Sequence, residues 1–318
     1  WSAKRRSKIC GLIPATGRWA GPWLAGPARR WPTLLVAGRR KSGCAVLDAP
    51  AVLIDTHCHL DAEEFSGDRD AVVQAAFAAG VSAIVVPAVT PANFPAVRQC
   101  CERYAGCYPA YGIHPLYLDV LDACDGSVFR QLRDRLQQEQ AGPYPPVAVG
   151  EIGLDFFVPE ANRERQEFFF VEQLKIARDF DLPVLLHVRR SVDQVLKCLR
   201  RVGVRRGIAH AFNGSLQQAD EFLRLGFKLG FGGAMTFTRA TRIRQLAMTL
   251  PLDAIVLETD APDIPPAWLG GARNAPQELP RIASVLAELR NLSRAEVEET
   301  TSRNAKFLLE SGQARGFA

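Results

Sequence analysis

The sequence predicts a (β/α)8 barrel, and the evidence is the number, character and spacing of its apolar runs. These runs are apolar throughout rather than alternating, which is typical of strands buried on both faces of a parallel sheet. Segments of helix length separate them, and the whole pattern spans residues 51–310. A typical barrel of this class has ~250 residues. The eight runs lie at 52–54, 83–86, 109–111, 147–149, 184–186, 207–209, 227–229 and 255–257.

Capping signals mark the helices between these strands. Residues 163–181 and 215–225 have apolar side chains at helical intervals. Gly80 and Gly226 occupy positions where helix C-caps are expected, because glycine adopts a left-handed backbone without steric cost. Ser293 and Glu296 have the spacing of a capping box, which predicts a final helix that begins after Ser293.

Side chains that bind metals are concentrated at the predicted strand ends. His57 and His59 are two residues apart in LIDTHCHLD, so both rings project from the same side of an extended strand end. Side chains that follow the strands of such a barrel converge on one mouth. A lone histidine in an apolar run is usually a core residue, but a convergent set with carboxylates favours zinc, manganese, cobalt or magnesium. The predicted ligands follow strands one, four, five, six and eight and are His57, His59, Glu151, His187, His210 and Asp260.

Six short motifs, HxH, GExGLD, HxR, HxFxGS, ETDAP and RNAKFLL, occur in this order along the chain. HxH alone is unspecific, whereas the ordered set with barrel spacing is specific. On the basis of this ordered set, residues 51–310 resemble the TatD family of metal-dependent deoxyribonucleases, which are barrel hydrolases related to the amidohydrolases. The resemblance implies two divalent ions (Mg, Mn or Zn), with Glu151 bridging them. One ion would be held by His57, His59, Glu151 and Asp260, and the other by Glu151, His187 and His210.

The resemblance also implies a reaction, the exonuclease-type hydrolysis of phosphodiesters in DNA, at single-stranded or duplex ends. Asp260 and Glu151 are the predicted catalytic residues, with Asp260 taking a proton from the attacking water. The chain differs from many relatives at two positions. It has Phe156 where they have a tyrosine and Asn213 where they have a serine.

Four further residues are predicted to contact the substrate. Arg189 shares the face of His187, and its planar fork suits a phosphate. His114, in YGIHP, has no obvious carboxylate partner and is expected to support the ligands or contact a phosphate, or else to shape a turn. Arg273 and Asn274 resemble a pair that lines the mouth in the family, with a surface loop role as the alternative. The neighbouring Arg190 is expected to point away as a surface charge.

Two other functions compete with the deoxyribonuclease hypothesis. An amidohydrolase of this barrel type would cleave esters or amides, for example in aminoacyl-tRNA deacylation. Such enzymes commonly use a carboxylated lysine at strand four, where this chain has Glu151, and no lysine occurs between Lys41 and Lys175. A non-enzymatic nucleic-acid-binding scaffold is the other alternative, but the complete ligand set argues against it.

The first 50 residues differ in composition from the rest. They contain ten basic residues and one acidic residue, whereas the remainder carries 29 basic and 33 acidic residues. The barrel is therefore mildly acidic, and any affinity for nucleic acid must come from local patches and metal. Residues 1–50 are interpreted as a transit sequence, a nucleic-acid arm, or non-native upstream sequence, and residues 311–318 as a C-terminal tail.

The eight cysteines form neither a disulfide framework nor a zinc-ribbon spacing, which favours reduced, buried thiols. Apolar stretches are too short for a membrane span. We therefore expect a cytoplasmic monomer that acts on DNA and does not bind membranes.

Overall fold

The eight predicted strands are present and form one parallel sheet in chain order. The structure, a computed structural model, describes residues 53–121, 126–159 and 162–310. The predictions for residues 1–50, for position 52 and for residues 311–318 fall outside these ranges. The strands are β1 (Leu53–Asp55), β2 (Val81–Pro87), β3 (Cys107–Tyr111), β4 (Ala148–Asp155), β5 (Val184–Arg189), β6 (Gly207–Ala209), β7 (Phe227–Phe231) and β8 (Ile255–Leu257).

Helices connect successive strands and cover the sheet. Gly80 and Gly226 follow the ends of two of them with φ values of 101° and 80°, which confirms their predicted role. The hydroxyl of Ser293 accepts a bond from the backbone N–H of Glu296 at the start of the last helix. Within the described residues the helices are α1 (Arg69–Ala78), α2 (Phe94–Arg103), α3 (Ser127–Gln140), α4 (Arg163–Asp179), α5 (Val192–Val202), α6 (Leu216–Arg224), α7 (Thr241–Thr249), α8 (Leu279–Arg290) and α9 (Arg294–Glu310).

The first and last strands meet beyond their carboxyl ends, so the sheet forms a nearly closed barrel. The backbone N–H of Thr56 donates to the Leu257 carbonyl at 3.1 Å, and that of Asp260 donates to the His57 carbonyl at 2.8 Å. α9 packs against both β1 and β8. The predicted (β/α)8 fold is confirmed.

Two ligand positions differ from the prediction that every ligand follows its strand. Glu151 lies within β4 and His187 within β5. β4 has a register irregularity between Val149 and Ile152, after which its pairing with β5 continues as far as Asp155 and Arg189. β4 and β5 therefore extend beyond their apolar runs, because the backbone of the polar ligand residues continues the hydrogen bonding between the two strands.

Asn304, in the motif RNAKFLL, ties α9 to the strand layer. Its side-chain amide donates to the carbonyls of Leu252 at 2.9 Å and Ile255 at 2.8 Å. We expect Asn304→Ala to lower the free energy of unfolding by about 1–3 kcal/mol, because it leaves buried carbonyls without a donor. Chemical denaturation measures this, with Arg303→Ala as the control because the Arg303 side chain is 60% exposed. Equal losses in the two variants would contradict the assignment.

The cysteines within the described ranges are free and buried, at positions 58, 100, 101, 107 and 198. The burial matches the expectation of buried thiols for that part of the chain. Among the helices that the structure describes, every one is too short or too polar to cross a bilayer.

Candidate metal centre

The barrel brings the six predicted ligands together at the carboxyl ends of its strands. Each is at most 4% exposed. The rings of His57 and His210 stack with centroids 4.1 Å apart, although the two residues are far apart in sequence. Burial of several imidazoles and two carboxylates in one cluster needs compensation by mutual pairing or by a cation.

Glu151 lies at the middle of this cluster, and its two oxygens face different histidines. Oε2 lies 3.2 Å from Nε2 of His57 and 3.4 Å from Nε2 of His59. Oε1 lies 2.9 Å from Nδ1 of His187 and 3.2 Å from Nε2 of His210. One carboxylate thus joins two groups of nitrogen ligands.

Several buried ligand atoms face one another in a way that suits a cation. The Nε2 atoms of His57 and His59 are 3.3 Å apart, and Oδ1 of Asp260 lies 3.6 and 3.7 Å from them. Both carboxylate oxygens of Asp260 are buried without a hydrogen-bond donor among the described residues. Three sets of His, Glu and Asp have ligand atoms within 4.8 Å of one another. These donors fit divalent cations that prefer nitrogen and oxygen ligands.

The environment favours the protonation state that binds metal at His57 and Glu151 but not at His210. Burial opposes protonation of His210, but Glu151 and Asp260 hold its pKa well above the usual range, so a cation would have to displace a proton from this ring. Burial and the neighbouring His210 lower the pKa of His57 to about 3, which leaves its imidazole neutral. Burial opposes ionisation of Glu151, but His114, His57 and His210 hold its pKa well below the ordinary value. Burial raises the pKa of Asp260 to about 6, against the lowering effects of His210 and His59. Neutral imidazole and ionised carboxylate are the forms that bind metal.

His114 belongs to this cluster, and the prediction that it lacks a carboxylate partner was wrong. Its Nε2 lies 3.4 Å from Oε1 of Glu151, a contact between the segment after β3 and a residue of β4 that sequence spacing does not reveal. Its Nδ1 accepts a bond from the backbone N–H of Leu116 at 3.1 Å. Burial lowers its pKa to about 4, so the ring is neutral and carries its proton on Nε2, toward Glu151. This geometry suits support of Glu151 better than contact with a phosphate.

Sequence reasoning missed Asp155, which holds His187 from the other side. Its Oδ2 lies 3.0 Å from Nε2 of His187, while Nδ1 of that ring faces Glu151. A carboxylate in this position fixes the tautomer and orientation of a ligand histidine. Asp155 is the last residue of the motif GExGLD. The sequence therefore contained the signal, but the motif was used only for Glu151 and no role was assigned to Asp155.

Asp55 and Glu258 are two further supporting carboxylates that were not predicted. Asp55 is fully buried and accepts bonds from the backbone and hydroxyl of Thr259, at 3.0 and 2.6 Å, which fixes the segment before Asp260. Oε1 of Glu258 lies 3.6 Å from Nδ1 of His210. A Cβ at Gly230 would lie 2.1 Å from the other oxygen of Glu258, so a larger residue there would displace this carboxylate. Asp55 lies two residues before the motif HxH, and Glu258 is the first residue of ETDAP.

A cavity of about 1000 Å³ opens above the ligands, and basic and aromatic side chains line it. Arg189 lies in its wall with a side chain that is 38% exposed, as predicted from the HxR spacing. Arg190 lines the same cavity, so the prediction that it points away was wrong. Its φ of 55° is left-handed, which breaks the alternation of a strand just after β5 ends. Phe156 and Asn213, the two departures from the family, also line the cavity.

The structure places Arg273 and Asn274 in the loop after β8, outside the lining of this cavity. Arg273 donates to both oxygens of Asp68, at 2.9 and 2.6 Å. Asn274 is fully buried, and its amide donates to the carbonyls of Thr259 and Asp263 at 2.8 and 2.9 Å. These bonds already use the donors that a phosphate would need. The placement therefore favours a structural role for both residues.

Comparisons with known proteins assign the chain to a family. The family model described as TatD related DNase matches residues 54–310. YjjV of Escherichia coli K12, an uncharacterized metal-dependent hydrolase, is 43% identical over 256 residues, which cover 80% of this chain and 96% of YjjV. The putative deoxyribonuclease tatdn3 of Danio rerio is 34% identical over 259 residues, covering 79% of this chain and 95% of that protein.

Solved structures confirm the architecture. The crystal structure of E. coli YjjV superimposes with a TM-score of 0.78 at 41% identity, over 82% of this chain and 99% of that one. A mutant organophosphorus hydrolase of Deinococcus radiodurans, 16% identical with a TM-score of 0.57 over 82% of this chain and 94% of that one, shares the fold alone. The range matched by the family model, residues 54–310, covers nearly the whole barrel. The chain is thus a metal-dependent hydrolase of the TatD family.

Proposed function

We propose that this protein hydrolyses phosphodiester bonds in DNA at a centre of two divalent cations, Mg, Mn or Zn. The observation that carries the proposal is the position of Glu151, whose two oxygens face two different pairs of histidines. His57 and His59, with Glu151 and Asp260, would hold one ion. His187 and His210 would hold the other, with Glu151 as the shared ligand.

The residues around this centre have distinct tasks in the proposed reaction. When bound, divalent cations lower the pKa of water and neutralise charge on phosphoryl oxygens. Asp260 has two buried oxygens without hydrogen-bond donors among the described residues, so either one can take a proton from the attacking water. Arg189 reaches the same cavity and can hold a non-bridging phosphate oxygen with its planar fork.

The charge of the cavity wall supports a phosphodiester over a neutral substrate. Arg189, Arg190 and Arg242 line it beside two acidic residues, Asp193 and Asp260, and the Nε of Arg242 donates to Oδ1 of Asn213 at 3.0 Å. Guanidinium groups recognise phosphate, whereas a neutral ester or amide has no charge for them to bind. The bridging position at β4 is occupied by Glu151 rather than by a lysine. The family name and the putative deoxyribonucleases among the relatives agree with DNA as the substrate.

A panel of substrates tests the proposal against the rival esterase and the non-enzymatic scaffold. Metal-stripped protein would be incubated with single-stranded DNA, duplex DNA, RNA or an activated carboxylic ester, each with Mg²⁺, Mn²⁺ or Zn²⁺ added separately. We expect DNA hydrolysis that depends on added metal and far exceeds ester hydrolysis. A much faster ester reaction would favour the amidohydrolase alternative. Metal-dependent DNA binding without hydrolysis of any substrate would favour the scaffold.

A further inference from the structure

Arg242 lines the cavity above the predicted metal ligands, and it comes from a different part of the barrel than Arg189 does. It is the second residue of α7, the helix that follows β7, whereas Arg189 is the last residue of β5. β6 lies between β5 and β7 in the sheet, so those two strands are roughly 10 Å apart. The cavity therefore has guanidinium groups on two of its sides.

Different neighbours position these two guanidinium groups. The guanidinium carbon of Arg189 lies 3.8 Å from the ring centroid of Phe157, which follows β4. The Nε of Arg242 donates to Oδ1 of Asn213, in the segment after β6, at 3.0 Å. The two groups are thus held by separate contacts on separate walls.

The remaining donors of Arg242 suit an anion. Among the described residues, Asn213 is the only hydrogen-bond partner of the Arg242 side chain, and it occupies Nε alone. The acidic Asp193 of the same lining is bound by Gln218, whose Nε2 donates to its Oδ1 at 2.8 Å. Both terminal nitrogens of Arg242 therefore remain available, and a guanidinium binds a phosphate group through two parallel donors.

We propose that Arg242 binds the phosphate next to the scissile one in a DNA strand. This inference rests on the proposed function, in which Arg189 holds the scissile phosphate. The predicted ligands His187 and His210 line the same cavity as Arg242, so a strand that reacts at the metal centre lies beside the α7 wall. A phosphodiester with a single phosphate cannot contact both sides in this way. Arg242 is therefore a specificity residue that favours oligonucleotides over such small phosphodiesters.

The salt dependence of DNA binding tests the proposal without turnover. The full-length chain in EDTA, which stops metal-dependent hydrolysis, would be titrated into a fluorescein-labelled thymidine octamer at several KCl concentrations. Each phosphate contact with a single strand contributes about 0.7 to the slope of log affinity against log salt concentration. We expect Arg242→Gln to weaken binding and to reduce the magnitude of this slope by about 0.7. The double variant Arg189→Gln/Arg242→Gln should reduce it by about 1.4, because the two groups contact different phosphates.

A kinetic comparison tests the predicted specificity. Bis(p-nitrophenyl) phosphate has one phosphate group, whereas the thymidine octamer has several. With metal added, Arg242→Gln should lower kcat/KM for the octamer about tenfold more than it lowers kcat/KM for bis(p-nitrophenyl) phosphate, since only the octamer can supply a second phosphate. Equal losses on the two substrates would contradict the proposal.

Arg239→Gln is the matched control, because Arg239 is exposed, lies three residues before Arg242 and is outside the lining of the cavity. It removes the same charge and should keep the wild-type salt slope. Three outcomes would overturn the second phosphate site: an unchanged slope in Arg242→Gln, an equal change in Arg239→Gln, or a double variant no different from Arg242→Gln. These binding results do not depend on catalysis, whereas absence of metal-dependent DNA hydrolysis by the wild type would contradict the proposed function itself.

Discussion

Replacing Glu151 by glutamine should reduce metal-dependent DNA hydrolysis by at least about a hundredfold, more than the loss typical of groups that only support metal ligands. Glutamine has nearly the same shape but no charge, and it cannot share two oxygens equally between two cations. The protein should also retain less metal after dialysis. Turnover assays and elemental analysis of the dialysed protein measure the two effects.

The fold of this variant should be intact, because the change adds no volume within β4. Far-ultraviolet circular dichroism and thermal melting check this point. Glu102→Gln, on a partly exposed side chain of α2, is the matched control and should change neither metal content nor turnover. Near wild-type turnover and metal content in Glu151→Gln would contradict the bridging role.

Arg189→Lys should lower DNA turnover by roughly ten- to a hundredfold, which corresponds to about 1.4–2.8 kcal/mol of lost transition-state stabilisation. Lysine keeps the positive charge but loses the planar fork that binds phosphate through two donors. It also removes the flat group that lies over the ring of Phe157. Steady-state kinetics on single-stranded DNA measures the loss.

Two comparisons separate this effect from a general defect. Metal content should be unchanged, because Arg189 is not among the predicted ligands, and hydrolysis of a neutral ester should be nearly indifferent to the substitution. Arg200→Lys, on an exposed side chain of α5, is the matched control. Equal losses on DNA and ester would show that Arg189 has a structural role.

The barrel and its ligand cluster could be predicted from the sequence because both depend on local signals. A strand buried on both faces must be apolar throughout, so each of the eight strands is visible as a short run. The carboxyl ends of the parallel strands lie at the same end of a barrel. Residues such as His57 and His210, which follow their strands, are therefore expected to converge even when no contact between them is known. The segments between those runs need only be long enough to form a helix.

Side-chain partners across the barrel were decided by the tertiary structure alone. The contact of His114 with Glu151 joins the segment after β3 to β4, and nothing in YGIHP specifies it. Asn274 was expected at the mouth, yet its amide binds buried carbonyls of the loop after β8. Hydrogen-bond partners depend on distances between distant segments, and the need to satisfy buried polar groups determines which contacts form.

The tertiary structure also determined which side chains face the cavity. Strand alternation predicted that Arg190 points away from Arg189, but its left-handed backbone turns it into the cavity beside Phe157. The sequence by itself determined the fold and the residues that converge at the centre, because periodicity and strand order are properties of the chain. Only the tertiary structure decided which of the neighbouring charges and rings face the cavity, because that depends on backbone conformation at the strand ends and on packing between β4 and β5.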